Sequence, residues 1–144
     1  LGDLVARSVL TAEAAAKLIL DEPSSGATRR FVQDFIASHG GGPSLVSSDL
    51  LRTELLATVG RVGASLDEAR LVLRGVVLVQ VTSAICDSAG RLAGEPGNIG
   101  LRSLDAIHLA TVLSVVSDVE AVVTFDRRFA SATKSVGIPV VTPQ

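Results

Sequence analysis

Tryptophan, tyrosine and methionine are absent from this 144-residue chain, and with four phenylalanines the aromatic share is only 3%. Almost nothing is left on which bases can stack, which excludes the aromatic platforms that hold single-stranded nucleic acid. The one cysteine, Cys86, rules out an internal disulfide, and nothing else points to an oxidising compartment. Charged residues are scarce at 19% and nearly balanced, with a formal net charge of −2 and a pI near 5.6. No global positive field therefore recruits nucleic acid, although a local arginine patch is compatible with this balance. Mean hydropathy is high at +0.47, yet no uninterrupted apolar stretch approaches the roughly 18 residues that a membrane span needs. Arg7 and Lys17 interrupt the apolar N-terminal part, which argues against a secretory signal. The expectation is a soluble, cytoplasmic protein with no membrane association.

What is present is ample core material: 47% of the residues are hydrophobic, which excludes a disordered chain. One core commonly organises roughly 100–200 residues, so residues 1–144 are expected to form a single domain. No repeat or dividing linker occurs. Loops carrying Pro and Gly are expected at 21–26, 39–43 and 94–98. Between them, short β-branched runs predict strands over 8–11, 45–47, 76–81, 121–124 and 138–141. Longer segments predict helices over 12–20, 28–38, 48–59, 66–74, 83–92, 104–116 and 127–136. Near-continuous apolar strands alternating with helices point to an α/β fold, a mostly parallel central sheet flanked by helices on both faces. Ligands of such folds sit at the carboxyl ends of the strands.

Three acids fall where that rule points. Asp126 follows the strand-like run 121–125, Asp105 lies in the first turn of the helix opened by Ser103, and Glu54 lies about two turns beyond Ser47 and Ser48, both good N-caps. Converging carboxylates supply hard oxygen ligands for Mg²⁺ or Mn²⁺, and such an ion polarises a phosphoryl oxygen and activates water. Each acid also has a plainer role open to it. Asp105 suits the helix dipole, Asp126 can start a helix, and Glu54 can pair with Arg52 or Arg61. His108 shares a helical face with Asp105, and within 106–110 it reads as a packed, hydrogen-bonded histidine. Cys86 reads as core or near-surface filler, since no histidine or basic neighbour in its helix activates it.

The segment Leu101-Arg102-Ser103-Leu104-Asp105-Ala106-Ile107-His108-Leu109-Ala110-Thr111 closely resembles the helix motif of PIN-domain ribonucleases, above all the VapC toxins. Val122-Val123-Thr124-Phe125-Asp126-Arg127-Arg128, followed by Gly137-Ile138-Pro139-Val140-Val141, is similar to that family's C-terminal ending. Residues 47–56 resemble its second acidic motif and 16–23 the segment after its first strand, so the resemblance runs from about 9 to 143. It implies a PIN-like three-layer fold and a Mg²⁺- or Mn²⁺-dependent endoribonuclease that hydrolyses RNA phosphodiesters. It also implies a VapB-type antitoxin partner and a homodimer. Carried over residue by residue, it makes Asp105, Asp126 and Glu54 both catalytic residues and metal ligands, with Ser103 and Thr124 as supporting polar groups. RNA would be held through its phosphates by arginines, and eleven of the thirteen basic residues are Arg.

One position departs from the pattern. The family opens with a strand ending in Asp, and aligning on Lys17 places Thr11 there. Asp3 stands too far upstream to replace it. Glu13 is the candidate substitute ligand: if the strand runs past Thr11, residues 11 and 13 share a face; if a helix begins at Ala12, Glu13 is only a favourable N-terminal charge. Two functions of different class follow. One is a working ribonuclease toxin; the other is a catalytically impaired PIN-fold protein that binds antitoxin without cutting RNA. A doubly wound signalling domain with an acidic pocket is a third reading, disfavoured by the His108 motif and the late Asp126. Phe31, Phe35 and Ile36 share a helix face that suits either a partner helix or the protein's own sheet.

Overall fold

The five β-branched runs form five parallel strands: β1 (Arg7–Leu10), β2 (Leu45–Ser48), β3 (Val76–Val79), β4 (Val119–Val123) and β5 (Val140–Val141). They lie in the order β3-β2-β1-β4-β5 in a computed structural model that describes residues 7–39, 44–98 and 100–144. Seven helices accompany them: α1 (Ala12–Ala16), α2 (Ser25–Ser38), α3 (Leu50–Arg61), α4 (Leu66–Arg74), α5 (Ser83–Gly94), α6 (Ser103–Ser114) and α7 (Arg127–Ser135). The expected α/β class with a parallel central sheet is therefore what the chain adopts. Of the loop expected over 39–43 only His39 is among the described residues, and Asp3 lies outside them.

Side-chain alternation divides the apolar strand residues between two cores. Leu10 and Val123 pack with Ala14, Val32, Leu51, Leu55 and Leu73 on one face, whereas Val9, Val46 and Val122 meet Leu109, Val112 and Phe129 on the other. The first four helices cover the former face and α6 and α7 the latter. A smaller cluster, centred on Ile85, Ala89, Ala106 and Ala110, joins α5 to α6. A parallel sheet covered on both faces needs strands that are mostly apolar, and the polar residues here, Arg7, Ser8, Ser47, Ser48 and Glu120, lie towards strand ends. Among the described residues no helix is long and apolar enough to cross a membrane.

Element boundaries moved for identifiable reasons. Ser48, expected to open a helix, is instead drawn into β2 after Ser47, the expected strand end, by pairing with Val79, so α3 begins at Leu50. Neither serine is its N-cap residue; Asp49 holds that position, and the Ser48 hydroxyl accepts only the Leu50 N–H, at 3.2 Å. The helix expected over 12–20 closes at Ala16 and tightens, with the Leu18 and Ile19 N–H groups bonding three residues back. Helix α2 starts early, because Ser25 turns back to the Leu20 carbonyl at 2.8 Å. Its aromatic face is shared: Phe35 is buried, Phe31 packs against the first core and Ile36 is exposed. Cys86 lies exposed on α5, not in the core.

Candidate active site

Chain order places a crevice at the carboxyl edge of the sheet. From β1 the chain builds β2 and β3 on one side and β4 and β5 on the other, so β1 and β4 flank the point where strand order reverses. Leu10 pairs with Val123, so the next residues, Thr11 and Thr124, emerge side by side. Thr11 turns its hydroxyl back onto the sheet and donates to the Val123 carbonyl at 2.8 Å. It brings no charge, and its hydroxyl is engaged.

Charge arrives two residues later. A helix does begin at Ala12, so the strand continuation that would have aligned residues 11 and 13 is absent. Glu13 nonetheless reaches the crevice from the first turn of α1. Its Oε1 accepts from Thr124 Oγ1 at 2.7 Å and from the Phe125 N–H at 3.4 Å. Thr124 in turn accepts the Asp126 N–H at 3.2 Å. One hydroxyl thus links two carboxylate-bearing elements. Lys17, one turn along, is occupied elsewhere: it donates to the Pro23 carbonyl at 2.8 Å, lies 3.7 Å from Glu22 and stacks over Phe125.

Asp126 has both roles that its position allowed. Its Oδ1 accepts the N–H groups of Arg128 and Phe129, at 2.9 and 3.0 Å, and so caps α7. It is also electrostatically coupled to Asp105. Substitution separates the two roles, because Asn caps as well as Asp but carries no charge. Asp126→Asn is expected to keep the α7 cap, so that the metal-free protein melts no lower than the parent, and to lose RNA cleavage. Asp126→Ala is expected to lose cleavage and about 1 kcal/mol of stability as well. Thermal melts beside a cleavage assay check both.

Glu54 pairs with neither Arg52 nor Arg61. It is half-buried, and its Oε1 accepts from His108 Nε2 at 2.6 Å, joining α3 to α6. His108 Nδ1 bonds the Ser48 hydroxyl at 2.9 Å, which ties in the end of β2. The packed, hydrogen-bonded histidine expected from sequence is thus present. Its partners, 54 and 60 residues away, left no local signal.

Asp105 sits among these groups, in the first turn of α6. Burial pushes its carboxyl above the ordinary value of 3.8; the charges of Asp126, Glu13 and Glu54 push the same way, while His108 opposes them. A small recess of about 30 Å³ is lined by Thr11, Glu13, Glu54, Asp105, His108 and Asp126, room for a water or an ion. It adjoins an open cleft of about 860 Å³ whose walls add Arg102, Arg127 and Arg128 to Glu54, Asp105 and Asp126. Ser103 lines this cleft, so both groups expected as polar support, Ser103 and Thr124, are at the site.

The carboxylates face one another without closing into a coordination shell. Glu54 is turned to His108, Glu13 to Thr124 and Asp126 to the α7 N-terminus. Among the described residues, no group of three or more His, Cys, Asp or Glu side chains is disposed to hold a metal ion as it stands. The donor chemistry still fits a hard cation. Mg²⁺ takes one or two carboxylates and keeps most of its waters, and the mutual repulsion raising the Asp105 pKa is what a cation relieves.

One feature of the cleft had no sequence signal. Gly100 has φ +92°, and a Cβ there would lie 3.7 Å from Arg128 Cδ and 3.8 Å from its Nε. The Arg128 side chain therefore lies against bare backbone at the cleft edge.

Residues 11–135 match the PIN domain family model. Among curated relatives, Ribonuclease VapC47 of Mycobacterium tuberculosis is 33% identical over 132 residues, covering 90% of this chain and 92% of that protein. Ribonuclease VapC46 of the same species is 35% identical over 135 residues, covering 93% and 95%. Among solved structures, M. tuberculosis VapC20, a sarcin–ricin loop cleaving toxin, superposes with a TM-score of 0.72 at 16% identity, covering 94% of this chain and 99% of that one. A toxin–antitoxin complex from Klebsiella pneumoniae contains a chain that superposes with a TM-score of 0.66 at 17% identity, covering 95% and 98%. Sequence relatives and fold agree: the chain belongs to the PIN-domain family, on the branch of the VapC ribonucleases.

Proposed function

We propose that this chain is a divalent-metal-dependent endoribonuclease, the toxin of a toxin–antitoxin pair, with Mg²⁺ or Mn²⁺ as its cation. The observation that carries this reading is the convergence of Asp105, Asp126, Glu54 and Glu13 around one recess where strand order reverses, with the Asp105 carboxyl pushed up by burial first and by its acidic neighbours second. Asp105 and Asp126 are the principal ligands, and Glu54 and Glu13 complete the pocket. When bound, the cation polarises a phosphoryl oxygen and lowers the pKa of a coordinated water. The partners are RNA, a VapB-type antitoxin and a second copy of the chain, and the compartment is the cytoplasm. Residues 1–144 act as one domain.

RNA enters along the arginine wall of the open cleft, where planar guanidinium groups take phosphates in bidentate fashion. Arg128 is the wall arginine that passes beside Gly100. Arg128→Ala is expected to raise KM for RNA and reduce the salt dependence of binding by about one phosphate contact. Its Mn²⁺ affinity should stay at the parent value. A salt titration of RNA binding checks the slope.

The deciding experiment incubates the protein with structured RNA and Mn²⁺ or Mg²⁺, beside a chelator control and Asp105→Asn. Metal-dependent cutting that Asp105→Asn abolishes supports the reading. The second reading, an antitoxin binder that no longer cuts, rests on Thr11 having no carboxylate. It gains if the folded parent is silent and Thr11→Asp is active.

A further inference from the structure

The bond network around His108 carries one step more, resting on the ribonuclease reading above. His108 belongs to the second turn of α6, and its side chain is 14% exposed. Both ring nitrogens are engaged, Nε2 with Glu54 Oε1 at 2.6 Å and Nδ1 with Ser48 Oγ at 2.9 Å. The Ser48 hydroxyl already accepts the Leu50 N–H, so its own proton is free to go to Nδ1. The ring proton then sits on Nε2 and is donated to Glu54, since an ionised carboxylate can only accept. No ring lone pair is left open to a cation or to an attacking water. His108 is therefore neither a ligand nor a general base, although it lines the acidic recess.

The bond has a consequence for Glu54. A glutamate on a helix samples several rotamers, and the neighbouring Asp105 carboxylate repels this one. A 2.6 Å bond from a ring pinned by β2 holds Oε1 in place. Among the described residues Oε2 has no hydrogen-bond partner. We infer that His108 is a positioning residue, holding Glu54 in one rotamer with Oε1 engaged, so that Oε2 would be the oxygen left to serve a cation. Outer partners of this kind typically change metal affinity or activity by about 10–100-fold when removed.

The test measures kcat, KM for RNA and, independently of turnover, Mn²⁺ affinity by the spin-resonance signal of free Mn²⁺. His108→Leu should lower kcat and Mn²⁺ affinity by about 10–100-fold, with KM for RNA within about twofold of the parent. His108→Gln, whose amide N–H can still reach Glu54, should recover most of the loss. In a Glu54→Gln background, His108→Leu should change nothing further. Full Mn²⁺ affinity in folded His108→Leu overturns the inference. So does a Gln variant as impaired as the Leu one, or losses that multiply with those of Glu54→Gln. If His108→Leu does not fold by circular dichroism, Ser48→Ala decides: it unpins Nδ1, and lower Mn²⁺ affinity supports the inference while an unchanged value overturns it. If Asp105→Asn abolishes cutting while the His108 variants behave as the parent, this inference alone falls. If the folded parent does not cut RNA with either cation, the ribonuclease reading falls, and the Mn²⁺ measurements still decide on His108.

Discussion

Asp105→Asn is expected to lower RNA cleavage on the order of a thousandfold and, in the same protein, to raise the melting temperature of the metal-free form at neutral pH. The first effect follows from removing the side chain that we propose as a principal ligand, since a bound cation supplies several kcal/mol of charge stabilisation and each 1.36 kcal/mol is about tenfold in rate. The second follows from the environment of the carboxyl. Burial, then Asp126, Glu13 and Glu54, raise its pKa in the folded chain, while His108 only partly offsets them. A raised carboxyl pKa means that the folded state holds a proton more tightly than the unfolded state. The contribution of Asp105 to stability is therefore fully present below the ordinary carboxylate pKa and is lost as pH rises through the folded value. At pH 7 the charge is held against its neighbours. Asparagine removes the repulsion with little change in shape.

The expected pattern is specific. Without metal, Asp105→Asn melts above the parent at pH 7, and the gap closes as the pH is lowered toward the ordinary carboxylate range. Added Mn²⁺ raises the melting temperature of the parent, by mass action on the folded state, and leaves the variant nearly unmoved. A variant less stable than the parent at every pH would mean that Asp105 is tied down by structure and is not held for a cation. Melts with and without Mn²⁺ across pH decide.

Much of this site was readable before any coordinates. Val76–Val79 and the run ending at Val123 signalled buried parallel strands because their apolar residues are contiguous. Asp126 and Asp105 could be placed because each follows a strand or opens a helix, features set by residues within one turn of it. Boundaries were less legible where pairing overrode local preference. Ser48 resembles a helix start, yet pairing with β3 made it the end of a strand. The Glu54–His108–Ser48 links were invisible, because contacts between residues 54 and 60 positions apart depend on how α3, α6 and β2 are brought together. Arg128 against Gly100 was hidden for the same reason. Of the two courses open to the chain after Thr11, a helix beginning at Ala12 is the one taken, and the Glu13 carboxylate reaches the crevice from its first turn.

That delivery sets the second large effect. Thr11 cannot supply a charge, and its hydroxyl is engaged with the Val123 carbonyl. The position two residues on has a longer side chain, a carboxylate, and a bond to Thr124 at the floor of the crevice. We propose that in this arrangement Glu13, in the first turn of α1, stands in for the acid that the family carries at the end of β1. Glu13→Gln keeps shape and polarity but removes the charge. It is expected to weaken Mn²⁺ binding and lower cleavage on the order of a hundredfold, the share of one ligand among several. Thr11→Asp with Glu13→Ser returns the charge to the strand end and should restore cleavage to within about tenfold of the parent. Thr11→Asp alone adds a fifth carboxylate to a cluster that already repels itself, so the metal-free protein should melt lower and Mn²⁺ should shift it further. Side-by-side cleavage and Mn²⁺ titrations of the three variants separate a relocated ligand from a disabled one. If Glu13→Gln behaves as the parent while Thr11→Asp alone raises activity, Glu13 serves only as a charge at the start of α1. The site then works one ligand short.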